Sequence, residues 1–218
     1  MKLYHGTSSK FLKSILDHGI LPRGDRFPDQ WPGKGTRKDL VYLTSCFGPL
    51  YALNATHDSA DQWLILEVNI PYKKLARMMP DEAYHAARAG QDGKSPDAIR
   101  KGEAEYRKHL ERHRNEWKES LKYVGNVAHK PSIPANAITR YCLFDASLRQ
   151  QLVATFVIAI QKQRLPHDVL LPYFKMLTAW FFGDHERLPK PPQANLDTIS
   201  NVIDRESSDN NGHYVERR

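Results

Sequence analysis

Hydrophobic positions fall into short runs through the first two thirds of the chain and into long helical stripes after them. Lys2-Leu3-Tyr4 opens a strand, and His5-Gly6-Thr7-Ser8-Ser9 turns the chain. Leu12, Ile15 and Leu16 then recur at helical spacing. They predict a helix over residues 10–20, with Ser8 or Ser9 at its start and Gly19 at its end. Branched and aromatic content marks further strands at Leu40 to Thr44, Trp63 to Ile70, Tyr123 to His129 and Ala137 to Asp145. Pro49 to Asn54 reads as the helix after the second strand. The run at 63–70 is apolar on both faces, so both faces are expected to be buried, and Glu67 within it reads as an edge or paired carboxylate. Strands and helices do not alternate regularly, which predicts an α+β core rather than a doubly wound parallel sheet.

Residues 80–122 change character. Gly90 to Ser95 is a flexible break, and charges of both signs dominate from Asp97 to Ser120. Ala98, Ala104, Tyr106, Leu110, Trp117 and Leu121 leave only a sparse apolar stripe, which predicts an exposed helix with charge pairs along it. After Asp145 the strand pattern stops. Leu148, Leu152, Phe156, Val157 and Ile160 predict a helix over 147–163. A second helix runs from His167 to Phe182 and ends at Gly183, giving a C-terminal helical hairpin. Pro189 to Pro192 reads as a linker, 196–203 as a last short helix, and 207–218 as a polar tail without fixed structure. The expected organisation is a domain over 1–146 with a helical insertion at 80–122, the hairpin over 147–188, and a linker and tail over 189–218.

Composition adds a direction. The 218 residues are 40% hydrophobic and carry a net charge of +7, enough apolar content for a sizeable core and a surface that attracts anions. Nucleic acid is the commonest such partner. Cys46 and Cys142 form no metal or disulfide motif, so a reduced, cytoplasmic setting is expected. No apolar run is long enough to span a bilayer and no signal segment is visible, so no membrane association is expected. The loop over 21–39 carries Arg23, Arg26, Lys34, Arg37 and Lys38 and reads either as a solvated loop or as one that closes over an anionic ligand. His109 and His113 lack a third ligand, and no metal is expected.

Four stretches then read together: Leu3-Tyr4-His5-Gly6-Thr7-Ser8, the helix end at His18-Gly19-Ile20-Leu21-Pro22, Val41-Tyr42-Leu43-Thr44, and Gly125-Asn126-Val127 leading to Ile133-Pro134. This set resembles the histidine–tyrosine branch of the ADP-ribosyltransferase superfamily, which includes diphtheria-toxin-like, poly(ADP-ribose) polymerase and RNA 2′-phosphotransferase enzymes. The last strand and its isoleucine–proline turn also resemble DNA-modifying toxin transferases. The resemblance covers residues 1–75 and about 123–145 and implies a split β-sheet core that grips NAD as co-substrate. It implies that His5 bonds the nicotinamide-side ribose, that Gly6 backbone groups hold the carboxamide, and that Tyr42 stacks on the nicotinamide ring. Thr7, Thr44 and Tyr51 are expected to line the same cleft, and Arg23, by its charge and loop position, to meet the pyrophosphate.

One position departs from the family. Counting back from Ile133-Pro134, the strand that carries a glutamate in most active members has Asn126. An amide hydrogen-bonds a ribose hydroxyl but cannot serve as a base or offset positive charge on the ribose. Glu119, Glu82 or Glu67 could supply the charge instead, an acceptor could bring its own ionised phosphate, or NAD could be bound and turned over poorly. His129 is a further candidate base, although strand alternation turns it away from Asn126. The expected function is an NAD-dependent ADP-ribosyltransferase acting on RNA or DNA, a toxin or phage-defence effector. Arg37, Lys38, Lys130 and Arg140 would favour an anionic acceptor. An RNA 2′-phosphotransferase-like enzyme and a non-catalytic NAD- or partner-binding module are the alternatives. For the last, Trp180, Phe181 and Phe182 offer either a surface for an antitoxin or chaperone, or a cap on the core.

Overall fold

The computed structural model describes residues 1–24, 36–56, 61–144, 167–187, 189 and 214–217. Its strands are β1 (Lys2–Ser8), β2 (Val41–Thr44), β3 (Trp63–Asn69), β4 (Met78–Pro80), β5 (Asn126–His129), β6 (Ile138–Phe144) and β7 (Tyr214–Arg217). Its helices are α1 (Leu12–His18), α2 (Gly48–Ala55), α3 (Glu82–Gln91), α4 (Pro96–Lys108), α5 (Trp117–Val124) and α6 (His167–Phe181). The protein is α+β. Two compact units divide it: Met1–Leu3, Ile15–Ser45 and Asn69–Ala137 form the first, and Tyr4–Ser14, Cys46–Val68 and Ile138–Arg218 the second.

In the first unit the strand order is β4-β5-β2, with both neighbours of β5 antiparallel to it. Leu40, Met79, Tyr84, Tyr106, Leu110, Val124 and Ala128 form one core cluster there. The chain after α1 is pinned to the Ile133-Pro134 turn, because Ile20 and Ile133 exchange backbone bonds of 2.8 and 2.9 Å.

The order in the second unit is β1-β3-β6-β7, and β6 pairs antiparallel with β3 and with β7. Trp63, Ile65, Cys142, Phe144, Phe174, Leu177, Trp180 and Phe181 fill its core. β3 is buried on both faces, as its apolar run requires. Glu67 within β3 is the paired carboxylate its setting demands. It accepts from Arg140 at 2.7 and 2.9 Å and from Thr139 at 2.7 Å. Arg140 also pairs with Asp184, just after α6, which ties β3, β6 and the end of α6 through one guanidinium. Trp180, Phe181 and Phe182 are at most 3% exposed, so they cap this core.

Gly6 sets how closely α2 packs on β1. A Cβ at Gly6 would stand 2.0 Å from the Gly48 carbonyl oxygen and 2.5 Å from the Ala52 nitrogen. The backbone of α2 fills the space a side chain would need. The room at Gly6 therefore serves helix–strand contact rather than the approach of a ligand.

Several elements differ from the sequence expectation. Tyr123 and Val124 belong to α5, not to the strand. Val124 buries as part of the helix's apolar face, and Gly125, at φ +71°, ends the helix in the left-handed region so that β5 starts at Asn126. The charged stretch from Asp97 to Ser120 is not one helix. Tyr106 donates to Glu116 at 2.9 Å, whereas ten residues of continuous helix would span about 15 Å. That bond and the burial of Leu110 require the turn after Lys108. α3 falls within the expected helical insertion over 80–122, although the expected apolar stripe starts only at Ala98, and β4 has no counterpart in the sequence reading. Asp81 caps α3 by accepting from the Ala83 nitrogen at 2.8 Å. Tyr214–Arg217 pairs with β6 instead of lying in a structureless tail. The expected helices over 147–163 and 196–203, the linker over 190–192 and the loop residues 25–35 lie outside the described residues.

Gly6→Ala is expected to lower stability by about 3 kcal/mol, because a well-packed backbone must shift to admit the methyl group. Urea unfolding of the two proteins measures it, and an unchanged midpoint would contradict the packing described.

Candidate active site

The expected site residues divide between the units, and each set has its own geometry. In the second unit His5 stands half-buried on β1, with Thr7 buried two residues on. Strand alternation places these two on one face of β1 and Tyr4 and Gly6 on the other. The Tyr4 side is packed: its ring lies 5.4 Å from that of Phe182. Tyr51 sits on α2, half-buried against the second unit's core, and its backbone is part of what meets Gly6. Gly6 can therefore offer a ligand only backbone groups.

In the first unit the β2–β5 register pairs Tyr42 with Ala128 and Thr44 with Asn126. Side chains directly opposite share a face, so Tyr42, Thr44 and Asn126 stand together on one face of this sheet. His129, paired with Val41, falls on the other face. Thr44 is fully buried and donates its hydroxyl to the Gly125 carbonyl at 2.8 Å, fixing the turn that starts β5. Ser120 donates to the Asn126 backbone carbonyl at 2.8 Å. The Asn126 side-chain oxygen is buried and has no hydrogen-bond partner among the described residues. A buried acceptor left unpaired costs on the order of 1–3 kcal/mol, and a bound hydroxyl or amide would satisfy it.

Tyr42 carries a network that local sequence patterns do not reveal. Its hydroxyl donates to Glu82 and accepts from the Arg37 backbone N–H at 2.9 Å. The same N–H reaches Glu82 at 3.3 Å. Glu82 is 5% exposed at the first position of α3, where the helix dipole favours its charge. Burial, and then the Glu82 charge, push the Tyr42 hydroxyl well above its ordinary pKa, so it stays protonated and remains a donor. Beside Glu82, burial raises the Asp81 carboxyl to about 7.

Of the three carboxylates weighed from the sequence, the structure brings Glu82 to Tyr42. Glu67 is consumed by Arg140, and Glu119 is exposed on α5. Arg23 donates to the Thr36 carbonyl at 3.1 Å, and the Gly24 nitrogen donates to the Lys38 carbonyl at 2.9 Å, so Arg23 fastens the base of its loop. The Arg37 guanidinium grips both Asp39 and Glu111 at 2.7–2.9 Å. Lys130 joins the same two carboxylates at 3.0 and 3.2 Å. Those cations hold Glu111 down at about 2 and Asp39 lower still. Arg37, Lys130 and Arg140 are thus spent on internal ion pairs, which removes three of the four cations expected to favour an anionic acceptor.

A cavity of about 510 Å³ opens between α3 and α4, away from every expected site residue. Arg88, Lys94 and Arg112 on its wall are balanced by Asp92, Glu105 and Glu116, so its charge selects no anion.

His129 is 1% exposed, and neither ring nitrogen has a partner among the described residues. Burial, then the charges of Arg77 and Lys74, hold its pKa down at about 4. It is neutral at physiological pH and cannot reach the Asn126 face.

No family model matches the chain, and no curated protein matches it. Among solved structures it is similar to EcPltA at 12% identity, over 68% of this chain and 79% of that chain, with a TM-score of 0.37. The chain's own residues carry the functional reading.

Two predictions test this geometry. Tyr42→Phe is expected to cost about 2 kcal/mol in urea unfolding, because buried Glu82 loses its hydroxyl donor; a cost near zero would show that the bond is not made. His129 binds its proton more weakly folded than unfolded, so its contribution to stability is complete above pH 6.5 and is lost as pH falls towards 4. Relative to His129→Phe, the unmutated protein is expected to lose up to ~3 kcal/mol across that window. NMR should place the ring's midpoint near pH 4. A midpoint near 6.5 would refute the burial of a neutral imidazole.

Proposed function

We propose that this protein is an NAD-dependent ADP-ribosyltransferase with the split-sheet core of that superfamily, and that its acceptor is nucleic acid. The observation that carries the reading is the face shared by Tyr42, Thr44 and Asn126, on which the Asn126 amide oxygen is buried without a partner among the described residues. That atom is the position at which the resemblance expects a contact to ribose. His5, half-buried on β1, supports the same reading by residue type and place.

NAD supplies the ADP-ribosyl group and nicotinamide as the leaving group. The glycosidic C–N bond breaks with its electron pair going to nicotinamide, the acceptor oxygen or nitrogen bonds to the ribose carbon, and the acceptor's proton passes to a base. The resemblance assigns a ribose hydroxyl to His5 and to Asn126 and the carboxamide to the Gly6 backbone. Tyr42 offers its ring face to nicotinamide. Its hydroxyl, tied to Glu82 and the Arg37 N–H, fixes the plane of that ring. Such restraint lowers the barrier by limiting the ribose and its leaving group to reactive orientations. Glu82 is a positioning residue in this scheme and the nearest carboxylate to the Tyr42 end of the site.

Asn126 favours one second reading. An acceptor that carries an ionised 2′-phosphate needs no carboxylate base, and its product would be ADP-ribose cyclic phosphate.

Incubation with NAD labelled in the adenylate part, against separate pools of RNA, DNA and protein, tests the proposal. Label is expected in a nucleic-acid pool, and His5→Ala is expected to lower transfer and nicotinamide release by about 100-fold or more. Full activity in His5→Ala would overturn the site. Absence of label from both RNA and DNA would overturn the acceptor.

A further inference from the structure

The positive charge of the chain is not spread evenly. Besides Arg37, Lys130 and Arg140, ion pairs engage Lys10, Arg100, Arg107 and Lys108 with Asp61, Asp97, Glu103 and Glu105. Among the described residues, a segment with three cations and no acidic residue of its own lies outside this pairing. From Ile70 to Pro80 the sequence contains Lys73, Lys74 and Arg77 and no acidic residue. Tyr72–Arg77 is a 3-10 helical turn between β3 and β4, and among the described residues none of its three cations has an ion-pair partner. Lys73 and Arg77 are exposed and Lys74 is half-buried.

The turn is held at both ends. The Ile70 nitrogen donates to the Met1 carbonyl at 2.8 Å, the Lys74 nitrogen to the Pro71 carbonyl at 2.9 Å, and β4 follows directly. At three residues per turn, Lys74 and Arg77 lie on one side. Met78, which follows Arg77, pairs with His129 on β5, and the charges of Arg77 and Lys74 help to hold that imidazole's pKa down. Tyr72 is 90% exposed, the most exposed large apolar side chain among the described residues. An aromatic ring held out in water on a fixed turn, flanked by unpaired cations, is the combination that binds single strands: bases stack on the ring and phosphates meet the cations. A membrane surface would need a broad apolar face, and one tyrosine beside Lys73, Ala76 and Arg77 does not make one.

We propose that Tyr72–Arg77 is the docking surface for single-stranded nucleic acid, with Tyr72 stacking on a base and Lys73, Lys74 and Arg77 taking phosphates. The proposal rests on nucleic acid being the acceptor and adds where on the first unit the strand is held.

Fluorescence anisotropy with labelled single-stranded RNA and DNA, without NAD and across a salt series, tests it on the full chain. Replacing the three cations by Glu (Lys73→Glu, Lys74→Glu, Arg77→Glu) is expected to weaken binding more than about tenfold at low salt. It should flatten the slope of log affinity against log salt by about 2, since each phosphate contact on a single strand contributes about 0.7. Tyr72→Ala is expected to weaken binding about tenfold and leave the slope unchanged. Lys74→Gln with Arg77→Gln should raise the His129 midpoint from about 4, which reports that the fold and the placement of both charges are as described. Unchanged affinity and slope in the triple variant would overturn the proposal. So would a native chain that binds vesicles of anionic phospholipid through these residues and no strand. Strand binding and NAD turnover are measured separately, so a failure of docking is distinct from a failure of the enzymatic reading.

Discussion

The close approach of α2 to β1 is the constraint on which the placement of His5 in the second unit depends. Gly6 carries no side chain, and the Gly48 carbonyl and Ala52 nitrogen occupy the space one would need. Fixing β1 in this way fixes His5 and Thr7 on its opposite face. The same unit is closed by Arg140, which joins Glu67 on β3 to Asp184 beyond α6. A buried carboxylate on an apolar strand is tolerable only with such a partner.

The first unit solves a parallel problem with neutral donors. Glu82 is buried beside Tyr42, and its charge is met by a phenol, a backbone N–H and the start of a helix. This leaves Tyr42 with a fixed ring plane. Asn126 on the same face keeps a buried oxygen without a partner among the described residues. The proposed reaction, in which a ribose develops positive charge, would call for hydrogen-bonding groups held in place and an aromatic face whose position does not drift.

The elements that carry the candidate residues were partly legible in the sequence, because short patterns specify them. The Tyr42 strand and the spacing of Asn126 to Ile133-Pro134 need only local reading, whereas His5-Gly6-Thr7, expected to turn the chain, continues strand β1 to Ser8. The opposite facing of His129, which follows from strand alternation, and the pairing of Glu67, which its apolar neighbours require, also needed only local reading. The Glu82 contact was not legible, since Glu82 and Tyr42 are 40 residues apart and no periodicity links them. The fate of the cations was hidden for the same reason. Arg37 and Glu111 are separated by 74 residues, so composition counts both charges while the fold cancels them.

The sequence by itself determined the α+β class, most strands, and the glycines that end α1 and α6, because side-chain period and turn chemistry act over a few residues. Tertiary structure decided where α5 gives way to β5, since burial of Val124 outweighs its preference for a strand. It decided that the charged stretch after Asp97 must turn back on itself, so that Tyr106 can reach Glu116. It also decided which charges are cancelled by internal ion pairs. Ion pairs form between residues distant in the chain, so only the fold shows that, among the described residues, the cations of Tyr72–Arg77 stay outside them.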